Sequence, residues 1–97
     1  MSYLVIWTAR AAVELQTHYL FLAEKDPEAG LRAVEAIDAS ATILEQFPNA
    51  GRPAEDLEPE HRELLVPFGA AGYILLYQVE EKSVYILAVR HQLEVGY

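Results

Sequence analysis

The chain is 97 residues long and carries 15 acidic and 7 basic side chains, which gives a formal net charge of −8. A chain of this length buries roughly 60–65% of the surface that its unfolded form exposes, so we expect residues 1–97 to form one domain around one core. Apolar and aromatic residues make up 53% of the chain, which excludes an intrinsically disordered protein.

Composition also limits the kinds of site and partner. The chain has no cysteine, so disulfides and thiolate-bound metals are excluded, and a cytoplasmic location is expected. No apolar run approaches the roughly 18 residues of a membrane span, and we expect neither a signal peptide nor a membrane partner. No grouping of histidines and acids resembles a metal site, and no cofactor is expected. The excess of acids opposes direct DNA binding and tight RNA binding, unless the few cations gather on one face.

The first half of the chain predicts one strand and two helices. An apolar run at residues 3–7 predicts the strand, and Thr8 is a favourable N-cap for a helix over residues 9–25. An Asp-Pro pair at residue 26 starts a second helix that runs to residue 47. Each helix has one apolar stripe, formed by Ala12, Leu15, Tyr19 and Leu22 in the first and by Val34, Ile37, Ala41 and Leu44 in the second.

The second half predicts a loop and three strands. Residues 48–60 hold three of the five prolines and several acids, which predicts a long, stiff loop. Strands are predicted over residues 62–66, 72–79 and 84–90, with Pro67 either ending the first or placing it at an edge of the sheet, and with a four-residue connection between the last two. The order β-α-α-β-β-β predicts an α+β fold, with the helical hairpin packed on one face of an antiparallel-rich sheet and the other face partly open.

The end of the last strand carries two candidate residues, Arg90 and His91. Successive residues of a strand point to opposite faces, which places Arg90 with Ile86 and Ala88, and His91 with Leu87 and Val89. Either the pair contacts a target, or His91 only ends the strand while Arg90 pairs with a nearby acid, Glu63 or Glu94.

Two further groups have alternative interpretations. Arg52, in the run Gly51-Arg52-Pro53, either contacts a partner or braces the loop, and the brace is favoured. As a brace, its planar guanidinium would bind loop carbonyls or the acids Glu55 and Asp56. Tyr73 and Tyr77 share one face of their strand, with Tyr85 across the hairpin. They form either the rim of the core or, if their face is open, an aromatic floor for a bound peptide. His18, on the first helix, is expected to be a surface residue.

An ordered set of short segments resembles the RelE/ParE superfamily of toxin–antitoxin toxins. These segments are Trp7-Thr8-Ala9-Arg10-Ala11, Pro48-x-x-Gly51-Arg52-Pro53, Arg62-Glu63-Leu64, Tyr73-x-x-x-Tyr77 and Arg90-His91, within the β-α-α-β-β-β order. The Gly-Arg-Pro loop and the tail His91-Gln-x-Glu-x-Gly-Tyr97 are more similar to the ParE branch, also described as plasmid stabilisation proteins, than to the RelE branch. Members of the superfamily are typically basic, so the net charge of −8 is a departure.

The resemblance implies a function and a partner. ParE-like toxins inhibit DNA gyrase, whereas RelE-like toxins are ribosome-dependent mRNA endoribonucleases, and a cognate antitoxin neutralises both. We therefore expect a gyrase-inhibiting toxin, with an enzymatic activity as the less favoured alternative. The alternatives are a RelE-like ribonuclease and a diverged binding module without toxicity.

Residues are assigned to these roles as follows. The candidate target contacts are Arg52, Arg62, Arg90, His91 and Tyr97, and the candidate antitoxin contacts are Tyr73, Tyr77 and Tyr85. If the chain cleaves RNA, Arg62, Arg90, His91 and Tyr97 would supply the base, the cation and the acid that phosphodiester cleavage requires.

Overall fold

Two helices cover one face of a five-stranded sheet in the computed structural model, which describes residues 2–55 and 57–94. The elements in chain order are β1 (Leu4–Trp7), α1 (Ala9–Ala23), α2 (Pro27–Ile43), β2 (Arg52–Pro53), β3 (His61–Phe68), β4 (Ala71–Glu80) and β5 (Ser83–His91). The predicted α+β fold is confirmed, with β2 as one additional short strand. Among the described residues, no helix has the length and hydropathy of a membrane span.

The strands lie side by side in the order β1-β5-β4-β3-β2. β1 runs parallel to β5, and every other neighbouring pair is antiparallel. The register of β1 runs only from Leu4 opposite Ser83 to Trp7 opposite Ile86. The rest of β5, residues 87–91, therefore extends past β1 and carries the predicted Arg90 and His91.

Both helices begin at the predicted side-chain caps. The Thr8 hydroxyl accepts a hydrogen bond from the Ala11 backbone N–H at 3.3 Å, and the Asp26 carboxylate accepts one from the Glu28 N–H at 3.1 Å. In the helices and at the C-cap of α2, the residues buried in the core are Ala11, Ala33, Ile37, Ala41 and Leu44. Leu15 and Leu22 are partly buried against them. Ala11 rather than the predicted Ala12 is thus the alanine of α1 that enters the core.

The predicted end of β3 and the predicted turn before β5 both need correction. β3 runs past residue 66 to Phe68, and Pro67 lies beyond the pairing of β3 with β2, so among the described residues the edge position is the prediction for Pro67 that is observed. The connection between β4 and β5 is two residues long rather than four, since Glu80 already pairs with Ser83. Glu81 adopts a positive φ of 56°, which allows this tight turn.

A β-bulge at Leu87 changes which residues of β5 face the helices. Tyr77 pairs with Ile86, whereas the preceding residue of β4, Leu76, pairs with Ala88, so Leu87 is the extra residue. Before the bulge Ile86 packs in the core beneath the helices, and after it Val89 does. The predicted pattern for Arg90 and His91 is therefore half wrong: Arg90 shares a face with Ala88 but not with Ile86, and His91 shares one with Val89 but not with Leu87.

We name the two sides of the sheet by their residues on β4. The helix face carries Tyr73, Leu75 and Tyr77, which pack in the main core. The far face carries Ile74, Leu76 and Gln78, and there Leu76 forms a second small cluster with Ala54 and Ala88.

Candidate functional site

Side chains of α1 bind the part of β5 that β1 does not cover. The pairing of β1 with β5 ends next to Thr8. The N–H and the hydroxyl of Thr8 both donate to the Ile86 carbonyl, at 3.1 and 2.7 Å. Beyond it, a Glu14 carboxylate oxygen accepts a hydrogen bond from the Val89 N–H at 2.9 Å, and His18 Nε2 lies 3.0 Å from the Val89 carbonyl oxygen. Because a carbonyl only accepts, His18 carries a proton on Nε2.

A short turn follows β5 and is held by its own side chains. The Glu94 carboxylate accepts a hydrogen bond from the His91 N–H at 2.7 Å, and His91 Nδ1 accepts one from the Leu93 N–H at 3.1 Å. The Gln92 N–H donates to the Gly72 carbonyl at 2.9 Å, which attaches the turn to β4. Nδ1 of His91 thus acts as a hydrogen-bond acceptor within the turn.

Tyr73 lies between the two imidazoles on the helix face. The centroid of its ring is 5.1 Å from that of His18 and 5.4 Å from that of His91, and both pairs have edge-to-face geometry. Only 3% of Tyr73 is exposed, and this burial raises the pKa of its hydroxyl.

Arg90 lies on the far face and binds the backbone of the same turn. One of its terminal nitrogens donates to the Glu94 carbonyl at 2.6 Å, and the carbonyl of His91 lies 3.5 Å from the same nitrogen. One of the two interpretations paired Arg90 with Glu63 or Glu94, and the contact described here is with the backbone carbonyl of Glu94.

The loop before β3 forms a second braced group around Gly51. The Tyr77 hydroxyl accepts a hydrogen bond from the Gly51 N–H at 2.8 Å, and Arg62 donates to the Gly51 carbonyl at 2.7 Å. Arg52 acts as a brace, but its partner at 3.2 Å is Glu63 of β3 and not one of the loop acids that were predicted. Burial raises the pKa of Tyr77, while the hydrogen bond from Gly51 and the positive charge of Arg62 act in the opposite direction.

The predicted ribonuclease residues do not meet at one place. Arg62 and His91 both lie on the helix face, but they pair with Tyr77 and Tyr73, which are four residues apart along β4, or about 13 Å. Arg90 lies on the opposite face. Tyr97 lies outside the described residues. Within those residues, no group of three His, Cys, Asp or Glu side chains is arranged to hold a metal ion.

The predicted aromatic floor for an antitoxin is not formed. Tyr73 and Tyr77 are 3% and 0% exposed and lie beneath the helices, so neither is accessible to a bound peptide. Tyr85 pairs with Gln78 on the far face, not beside Tyr77, and it is half-buried. Only Tyr85 of these three remains a predicted antitoxin contact.

Two residues of this site, Glu14 and His18, were missed from the sequence. His18 was expected on the surface, whereas its side chain is 17% exposed and contacts β5. The sequence does contain a signal for them. Glu14 and His18 are four residues apart, so they lie on the same side of α1, next to Leu15 and Leu22. The strand that they bind could not be identified without the fold.

Comparisons with known proteins agree with the fold and the motifs. Residues 5–96 match the family model described as the ParE toxin of type II toxin–antitoxin system, parDE. The chain is 30% identical to Toxin RelE1 of Caulobacter vibrioides over 94 residues, which cover 97% of this chain and 98% of the relative. It is 38% identical to Toxin RelE3 of the same bacterium over 85 residues, with 88% and 89% coverage.

Solved structures support the same assignment. The chromosomal ParDE toxin–antitoxin system from P. aeruginosa contains a chain with a TM-score of 0.78 and 29% identity, over 93% of this chain and 96% of that one. A mutant of E. coli toxin RelE in the free state has a TM-score of 0.67 over 93% of this chain and 83% of that one, but at 18% identity it shows the fold alone. The chain therefore belongs to the ParE toxin family of type II toxin–antitoxin systems, within the RelE/ParE superfamily.

Proposed function

We propose that this toxin arrests growth by binding DNA gyrase in the cytoplasm, and that a cognate antitoxin holds it inactive. The match to the ParE family and the structural similarity to a ParDE system support this branch. In this proposal the end of β5 and the turn after it contact the target, with Arg90 and His91 as the principal residues. Tyr85, on the far face, is a proposed antitoxin contact.

The observation that carries the proposal is the separation of the candidate catalytic groups. Cleavage of a phosphodiester without a metal needs a base, a cation and an acid around one phosphate. Here Arg90 and His91 lie on opposite faces of the sheet, and Arg62 donates to Gly51. Such an arrangement suits contacts with a protein surface better than hydrolysis of RNA.

The charge of the chain favours the same choice. RNA binding depends on several cations that neutralise phosphates. The net charge is −8, and Arg52 is paired with Glu63. A protein target does not impose this requirement on the toxin.

A supercoiling assay with purified gyrase tests the proposal. We expect the wild-type toxin to inhibit supercoiling and to increase gyrase–DNA cleavage complexes, and Arg90→Ala and His91→Ala to weaken both effects. Arg32→Ala is the matched control, because Arg32 is an exposed cation on α2 and its loss changes the net charge as Arg90→Ala does. Circular dichroism must show each variant folded. Full gyrase activity at micromolar wild-type toxin would exclude the proposal.

A second candidate function is a ribosome-dependent mRNA endonuclease, because the curated relatives are named RelE toxins. Toeprinting on ribosomes programmed with a defined mRNA tests it. New 5′ ends that depend on the toxin would favour this candidate over gyrase inhibition, and their absence would eliminate it.

A further inference from the structure

Within residues 2–55 and 57–94, no strand covers the edge of β5 beyond Ile86. β1 accompanies it only as far as Ile86, so the polar groups of residues 87–91 need other partners on that side. Unpaired backbone groups at a buried sheet edge cost free energy comparable to a lost hydrogen bond. Val89 is 1% exposed, so water cannot readily take the place of a neighbouring strand at this position.

Two side chains of α1 occupy the place of that strand. Glu14 and His18 are one helical turn apart and bind both backbone groups of a single residue, the N–H and the carbonyl of Val89, at 2.9 and 3.0 Å. The second carboxylate oxygen of Glu14 lies 3.3 Å from the guanidinium of Arg10, which further fixes the orientation of Glu14.

The same two residues are connected to the turn after β5. His18 contacts the ring of Tyr73, whose ring also contacts His91. His18 Nε2 also lies 3.6 Å from the Glu94 carboxylate oxygen that accepts the His91 N–H. A shift of His18 would therefore disturb Val89 and the turn together.

We propose that Glu14 and His18 are positioning residues that replace a missing strand at the edge of β5 and thereby fix the segment 89–94. The effect of this positioning on target binding rests on the proposed function, since Arg90 and His91 belong to the segment 89–94. The pair does not contact the target itself. It determines how rigidly the neighbouring side chains are presented.

Amide hydrogen exchange measured by NMR on the whole chain tests the positioning directly. We expect Glu14→Ala to speed exchange of the Val89 amide about tenfold, because this amide loses its part-buried hydrogen bond. We expect His18→Ala to do the same for the Leu93 amide, because the ring of His91 that accepts its hydrogen bond loses the support of His18 and Tyr73. Glu14→Gln and His18→Gln keep an acceptor and a donor, respectively, and should restore much of the protection. Thr17→Ala, on the exposed side of α1, is the control and should change neither amide.

Two results would overturn the proposal. One is unchanged exchange of Val89 in Glu14→Ala and of Leu93 in His18→Ala. The other is an equal loss of protection at Leu75, in the middle of the sheet, because that would show a general loss of stability.

The gyrase assay separates this proposal from the proposed function. We expect His18→Ala to inhibit gyrase about tenfold less effectively than the wild type, with rescue by His18→Gln, in proportion to the loosening of the segment. Wild-type inhibition by His18→Ala despite a loosened segment would overturn the positioning role. If the wild-type toxin does not inhibit gyrase, the proposed function fails, and exchange at Val89 and Leu93 still decides whether the pair holds the segment.

Discussion

Gly51 has no room for a side chain. A Cβ atom there would lie 2.5 Å from the Glu63 carbonyl oxygen and 2.8 Å from the Tyr77 ring. We expect Gly51→Ala to lower the free energy of unfolding by about 1–3 kcal/mol, because the loop must move and its bond to the Tyr77 hydroxyl is strained. Urea unfolding measures this, with the exposed Asn49→Ala as control. Equal stability of Gly51→Ala and the wild type would show that the loop adapts without cost.

The burial of Tyr73 makes the free energy of unfolding depend on pH in alkali. Burial raises the pKa of its hydroxyl above the ordinary value of 10.0, so in alkali the unfolded chain releases this proton before the folded chain does. The free energy of unfolding therefore falls as pH rises from the unfolded pKa toward the folded one. Tyr73→Phe removes this contribution, and urea unfolding at pH 7 and in alkali should show a smaller fall than in the wild type. An identical fall in both proteins would contradict this.

Single residues of the site differ in how far the sequence predicts them. The brace at Arg52 was predicted, because a planar guanidinium beside a proline-rich loop can bind several acceptors of that loop at once. The partner itself, Glu63, was not predicted. The burial of Tyr73 and Tyr77 was not predicted, since alternation shows that two residues share a face but not which face the helices cover. The role of His18 depends on a strand that is 71 positions away.

α2 contains two isoleucines in opposite environments. Ile37 is 0% exposed in the core, whereas Ile43 is 49% exposed at the end of the same helix. We expect Ile37→Ala to cost roughly 2–5 kcal/mol, a large part of the stability of so small a domain, and Ile43→Ala to cost much less. Thermal unfolding of both variants gives the comparison. Equal losses would mean that helix propensity, and not core packing, determines the effect.

Thr8 stabilises two elements with one hydroxyl group. It caps α1 and also donates to the Ile86 carbonyl at 2.7 Å, whereas Asp26 caps α2 without any such bond to the sheet among the contacts described. We expect Thr8→Ala to cost about 2 kcal/mol and Asp26→Ala about 1 kcal/mol in urea unfolding. Thr8→Ser should retain most of the stability. If Thr8→Ala costs no more than Asp26→Ala, the bond to β5 contributes nothing.

At the scale of elements, local patterns predict the helices better than the edges of the sheet. Caps and apolar spacing are contained in one segment, so both helix starts were predicted correctly. β2 and the bulge at Leu87 arise from pairing between distant segments. A strand of two residues, one of them proline, has no local signal, and a bulge is visible only in the register.

At the scale of the molecule, the acidic charge bears on the choice between a nucleic-acid target and a protein target. A net charge of −8 opposes the phosphates of RNA and DNA, and the exposed Arg52 is paired with Glu63. An acidic toxin can still bind a protein, because recognition there depends on a local surface rather than on the total charge. The charge of the chain thus supports the proposed protein target.

The rates of DNA and protein synthesis after induced expression test this account most directly. Cells that express the toxin without antitoxin are labelled in short pulses with a DNA precursor and with an amino acid, and their growth is followed. We predict that DNA synthesis stops first and that DNA content per cell ceases to rise while protein synthesis continues. An earlier collapse of protein synthesis, or undisturbed growth, would contradict it.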